Sequence, residues 1–204
     1  MSIKAVIFDL DGTITQPYFD FDSIREEIGL ARDSGPLLES MKKMTSEQRL
    51  HAEKILNHHE QKAVTESKLN TGAKHTLSTL RTMGIHIGVL TRNKRSNAIA
   101  IAHKHNLKFD AVIGREEGPV KPDKFGVLEL CKQFGVEPKE TMLAGDYLFD
   151  LQCAKSAGAV AVLLANHNKA DEFSEYADFR IEDISQILEI IKYKNSKPHG
   201  VNVV

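Results

Sequence analysis

Two short stretches hold most of the chemistry in this chain: Asp9-Leu10-Asp11-Gly12-Thr13 near the start, and Gly145-Asp146-Tyr147-Leu148-Phe149-Asp150 far downstream. The first follows the apolar run Ile-Lys-Ala-Val-Ile-Phe at 3–8. Such a run reads as a buried strand that delivers two carboxylates to its C-terminal edge. Gly12 marks the point where the chain must turn, so Asp9 stays at the strand tip and Asp11 opens the loop. The pairing suits a metal-bound nucleophile beside a separate acid/base. Three further strand ends carry suitable groups: Thr91 after the strand 85–90, Lys121 in the loop after 111–113, and Asp146 with Asp150 after 141–144. Taken singly, an aspartate at a strand end is more often a helix cap or turn residue. Together they form a constellation along one edge, which in an open α/β sheet is where ligands bind.

The elements that must position these groups alternate. Helices are expected over 73–83, 94–105, from the Asp123 cap to Phe134, and over 151–157; a fifth strand covers 159–164 and a last helix 183–193. This alternation predicts an α/β fold with a doubly wound parallel sheet, helices on both faces and right-handed crossovers. Between 16 and 71 there is no strand signal. Phe21, Ile24, Ile28 and Leu30 mark one amphipathic helix ending near Gly29, and Gly35-Pro36 restarts a short one. Thr45 with Gln48 forms a capping-box pattern that opens a third helix from about Ser46 to Leu69. The expected organisation is a core of 1–15 and 72–195, a small inserted helical domain at 16–71, and a flexible tail at 196–204.

Composition narrows the function classes. Twenty-seven Lys and Arg are mixed with 28 Asp and Glu, for a net charge of −1. That leaves no electrostatic footprint for nucleic acid or a membrane surface. Cys131 and Cys153 stand far apart without metal-ligand spacing and read as buried free thiols in a reducing compartment. No apolar run approaches the ~20 residues needed to cross a bilayer, and no charged-then-apolar leader is visible, so a soluble cytoplasmic protein is expected, as a monomer or weak dimer.

The motifs resemble those of the haloacid dehalogenase (HAD) superfamily, in its phosphatase branch. Asp9 to Thr13 is similar to the family's DxDGT motif, Thr91 after an apolar strand to the second motif, Lys121 before Pro122 to the third, and the Gly145–Asp150 stretch to GDxxxD. The resemblance implies a HAD-like core with strand order 5-4-1-2-3 and a small helical cap. It implies Asp9 as the nucleophile that forms an aspartyl-phosphate, and Asp11 as the acid that protonates the leaving alcohol and then activates water. Mg²⁺ is the implied cofactor, held by Asp9, the backbone carbonyl of Asp11, Asp146, and Asp150 directly or through water. Thr91 and Lys121 would bind the transferring phosphoryl group, with backbone amides of Leu10, Arg92 and Asn93 completing the cradle. Lys121 would also hold Asp9 ionised.

The activity so implied is hydrolysis of a small phosphorylated metabolite, on the pattern of the phosphoglycolate phosphatases. A phosphomutase related to β-phosphoglucomutase is the enzymatic alternative; a non-catalytic binder of a phospho-ligand or protein is the other. Asp11 favours phosphoryl chemistry, because a halide leaving group needs no proton. In the inserted helices, Arg25, Arg32, Lys42, Lys43, Arg49, Lys54 and Lys62 are candidates for a substrate's distal anion, although for each a solvated helix face is the commoner reason for such a residue. His58-His59 diverge around a helix and read as surface residues rather than a chelate. His103 and His105 suit a helix C-terminus. Phe19 and Phe21 read as packing residues.

Overall fold

The computed structural model describes residues 2–196. Its sheet has six parallel strands: β1 (Ala5–Phe8), β2 (His86–Leu90), β3 (Ala111–Ile113), β4 (Thr141–Gly145), β5 (Val160–Leu164) and β6 (Phe179–Ile181), in the order β3-β2-β1-β4-β5-β6. The anticipated order is present and extended by β6. That strand has only three residues, with Arg180 exposed in its middle, so it lacks the apolar run that marks a strand in sequence. All four residues of β1 are fully buried, as expected for a central strand covered on both faces.

Nine helices are described: α1 (Phe21–Ile28), α2 (Leu37–Lys42), α3 (Ser46–Glu66), α4 (Ala73–Thr82), α5 (Arg95–His105), α6 (Phe125–Phe134), α7 (Leu148–Ala157), α8 (Ala170–Phe173) and α9 (Ile187–Ser196). One core cluster against the sheet joins Ile7, Leu90, Leu130, Leu143, Leu151 and Leu163. Each such buried side chain contributes about 1.5–3 kcal/mol. The last helix runs on to Ser196, where a flexible tail was expected to begin. Asn195 anchors it, its Oδ1 accepting from the Ile3 amide at 2.8 Å. The rest of the expected tail, 197–204, lies outside the described residues.

The chain divides into two compact units: the residues up to Pro17 with those from Lys68 onward, and Tyr18–Ser67. In the smaller unit, Ile24, Leu37, Met41, Ala52 and Leu56 form a core with Phe19 against it. Phe21, expected on the inner face of its helix, is instead 48% exposed and stacks on Phe19 at 5.5 Å between ring centroids. Asp20 caps α1, and the Thr45–Gln48 capping box opens α3 as read from sequence. α3 stops at Glu66, short of Leu69, because the chain there becomes extended. Gln16 donates its amide to Lys68 O at 2.9 Å, and Thr15 bridges Leu69 in antiparallel fashion.

Candidate active site

The C-terminal ends of β1, β2 and β4 and the loop after β3 bring the expected groups together. Asp9 follows β1, its amide donating to Ala144 O at 2.9 Å, which ties the strand tip to β4. Its Oδ1 lies 2.7 Å from Lys121 Nζ, and the same ammonium donates to Asp150 Oδ1 at 2.6 Å. Lys121 is 2% exposed, so both contacts are shielded from water. Carboxylate oxygens of Asp9, Asp146 and Asp150 all lie within 4.8 Å of one another. Asp146 Oδ1 also accepts from the Thr13 hydroxyl at 2.8 Å.

Charge balance follows from this packing. Burial raises Asp9 to about 6; Lys121 and the Leu10 amide pull it down without prevailing, while Asp150 adds to the rise. Lys121 favours the ionised form of Asp9, and burial opposes it. Burial, reinforced by Asp9 and Asp150, pushes Asp146 up to about 8. Burial alone would lower Lys121, but Asp150 and Asp9 more than offset it and raise its pKa. The ammonium thus pairs with two of the three carboxylates, Asp9 and Asp150.

Asp11 is set apart from this cluster. Its Oδ2 accepts from Asn93 Nδ2 at 3.1 Å. Thr91, 3% exposed, accepts from the Asn93 amide at 3.0 Å, which leaves the threonine's own hydroxyl hydrogen to be donated elsewhere. The Asn93 N–H, expected in the phosphate cradle, donates to Thr91 here, and the residue's side chain donates to Asp11. The Arg92 side chain folds back, donating to Lys121 O with its guanidinium 4.8 Å above the Phe149 ring. Asp150 combines the two readings open to an aspartate after a strand. Its Oδ2 accepts from the Tyr147 amide at 3.1 Å as part of the α7 capping box, while Oδ1 holds Lys121.

The glycines of both motifs have a steric reason. Gly12 has φ +89°, and a Cβ there would lie 2.4 Å from Asp146 Oδ2; at Gly145 it would lie 2.2 Å from Asp150 Cγ. Each glycine makes room for an aspartate of the cluster. Three side chains that sequence reasoning missed brace the loops after β1 and β4. Asn70 Nδ2 donates to Gly12 O, Thr13 O and Thr15 O at 2.9, 2.8 and 3.1 Å. Asn166 donates to Gly12 O at 2.5 Å, and His167 Nε2 donates to Asp146 O at 2.5 Å while its Nδ1 accepts from the Lys169 amide. No motif spacing marks them, since only the fold brings positions 70 and 166 to position 12.

Several other residues singled out in the sequence have local partners. His59 pairs with Glu27 at 3.0 Å. Arg25, Arg32 and Arg49 pair with Asp22, Glu26 and Glu53 respectively. Cys131 and Cys153 are buried and free. Burial pushes Cys153 up to about 12, so it remains a thiol. Among the described residues no helix is long and apolar enough to cross a membrane.

The model of the haloacid dehalogenase-like hydrolases matches residues 3–158, which include every motif residue above. The chain belongs to that family. It is a hydrolase, as its motifs led us to expect. It is 30% identical over 204 residues to an uncharacterised hydrolase of Saccharomyces cerevisiae, covering 96% of this chain and 94% of that protein. A phosphoglycolate phosphatase of Chromobacterium violaceum is 24% identical, with 93% and 97% covered. Among solved structures, a hydrolase from Pseudomonas syringae superposes with a TM-score of 0.80 at 19% identity, covering 93% of this chain and 98% of that one, which supports the shared fold.

Proposed function

We propose that this HAD-family hydrolase is a Mg²⁺-dependent phosphatase of small phosphorylated metabolites, similar in substrate class to the phosphoglycolate phosphatases, and that it works in the cytoplasm through an aspartyl-phosphate. The observation that carries the reading is the division between the two motif carboxylates. Asp9 sits against Lys121, while Asp11 is held apart by Asn93. A pure phosphate binder needs neither a nucleophile nor a separate acid.

The donor set suits the cation: one oxygen from each of three carboxylates lies within 4.8 Å of the others, and burial with two neighbouring acids makes the charged form of Asp146 costly unless a cation joins it. Asp9 and Asp146 would hold Mg²⁺ with the Asp11 backbone carbonyl, and Asp150, already engaged by Lys121, would act through water. When bound, the cation supplies neutralisation of phosphoryl oxygens that otherwise repel an anionic nucleophile. The side chains do the rest. Asp9 attacks phosphorus; the Thr91 hydroxyl and Lys121 ammonium take up charge on the transferring group. Asp11 gives its proton to the leaving oxygen, then takes one from the water that splits the acyl phosphate. Residues 18–67 are assigned as the cap that selects the substrate's distal part.

The test is hydrolysis of p-nitrophenyl phosphate with Mg²⁺ and with EDTA, by the wild type and by Asp9→Asn. Turnover that requires the metal and falls at least about 10³-fold in the variant is expected. A metal-insensitive rate, or one that survives Asp9→Asn, defeats the reading. Phosphoglycolate and a panel of small phosphate esters then rank the substrate class.

A further inference from the structure

The search outside the motif residues leads to Asn97, a side chain the mechanism above does not use. It lies in α5 and is 2% exposed. Asparagine is a poor interior helix residue and costs free energy when buried unless its amide is bonded, so an apolar residue would serve the fold better there. The bond it makes is specific: Asn97 Nδ2 donates to Asn93 Oδ1 at 2.8 Å. The Lys94 amide donates to the same oxygen at 2.8 Å. A backbone N–H can only donate, so the atom facing it is the carbonyl oxygen, and the Asn93 amide has one orientation. Its Nδ2 must then point the other way, to Asp11 Oδ2 at 3.1 Å.

We infer that Asn97 is a positioning residue: through Asn93 it fixes the rotation of the Asp11 carboxyl, and so aims the acid at the leaving-group oxygen. This rests on the phosphatase reading. Asn93, 5% exposed, is locked at its oxygen by two donors and at its backbone by Thr91 Oγ1. The linkage also ties the acid to the phosphoryl-binding hydroxyl, so that the two move as one rigid piece. Without the Asn97 donor, one of the two restraints on the amide oxygen is lost, and Asp11 gains freedom to turn from the reacting bond. A misaligned acid harms reactions in proportion to how much their leaving group needs a proton.

That dependence gives the experiment. Wild type, Asn97→Leu and the near-isosteric Asn97→Asp are assayed with Mg²⁺ on phenyl phosphates whose leaving phenols span about three pKa units, from phenol to p-nitrophenol, and thermal melts are recorded for each. Asn97→Asp replaces the donor by an acceptor and keeps the size, so it reports even where Asn97→Leu fails to fold. The expected result is a selective loss: kcat on phenyl phosphate falls about 10-fold or more beyond any fall on p-nitrophenyl phosphate, a fraction of the ~10²–10⁴ that general acid catalysis supplies. A loss equal across the series, or none, overturns the inference and leaves the phosphatase reading standing. Absence of wild-type turnover on every ester overturns the phosphatase reading, and the role of Asn97 with it.

Discussion

At the scale of single residues, the site is a problem in charge. Lys121 is the cation paired with both Asp9 and Asp150, and each of these contacts is buried or nearly so. Removing it should cost more than removing one acid, because two buried carboxylates then lose their counter-ion beside a third. Lys121→Met is expected to lose about 3 kcal/mol at pH 8, and less at pH 6, where protons can replace the ammonium. Asp150→Asn keeps an oxygen for the Tyr147 amide and should cost nearer 1 kcal/mol. Urea unfolding of the metal-free variants measures both. At Gly12, alanine would meet the Asp146 carboxylate and sit in a left-handed backbone. Gly12→Ala should lose about 2 kcal/mol of stability and more than about 10-fold in kcat, because the displaced group belongs to the reacting cluster. Parallel melts and aryl phosphate assays check this.

At the scale of elements, short polar devices do the positioning. The turn after β1 is held by Asn70 and Asn166 as well as by its own backbone, and α7 begins at a capping box whose acid also holds Lys121. In the smaller unit, α3 carries its N-terminal stop signal plainly, Thr45 Oγ1 accepting from the Gln48 amide at 3.3 Å and Gln48 Oε1 from the Thr45 amide at 3.0 Å. Thr45→Ala removes one half of that box and should destabilise the unit by about 1 kcal/mol. A shift in the chemical-denaturation midpoint without loss of p-nitrophenyl phosphate turnover per folded molecule is the expected result. Loss of turnover at unchanged stability would mean that the α3 terminus has a part in the chemistry.

At the scale of the molecule, the carboxylate cluster links stability to pH and metal. Asp146 has a folded value of about 8 against an ordinary 3.8, and Asp9 about 6 against the same 3.8. Between those values the folded chain keeps protons that the unfolded chain has released, so stability falls as pH rises through the window. The metal-free protein should therefore melt at a lower temperature at pH 8 than at pH 5. Mg²⁺, which takes the place of those protons, should raise the melting temperature more at pH 8 than at pH 6. Calorimetry with EDTA and with millimolar Mg²⁺ tests both signs; a melting temperature indifferent to the metal at pH 8 would count against Asp9 and Asp146 as its ligands.

Sequence alone determined the parts whose signal is local. An apolar run ended by Asp9-Leu10-Asp11-Gly12 announces a buried strand and a turn, and the same logic located Thr91, Lys121 and Asp146 at their strand ends. Gly12 too was legible as a turn, although its steric reason, the Asp146 side chain, was not. Only the tertiary structure decided how the groups share charge. Asp9 and Asp146 are raised because burial and neighbouring carboxylates act through space, and neither is visible as spacing along a chain. It also decided which polar residues brace the site. Asn70, Asn97 and Asn166 look like ordinary loop or helix residues until the fold sets their amides against the loop after β1 or against Asn93. The three residues of β6 were missed for a similar reason: they are a strand because β5 offers an edge to pair with, not because their own pattern demands it.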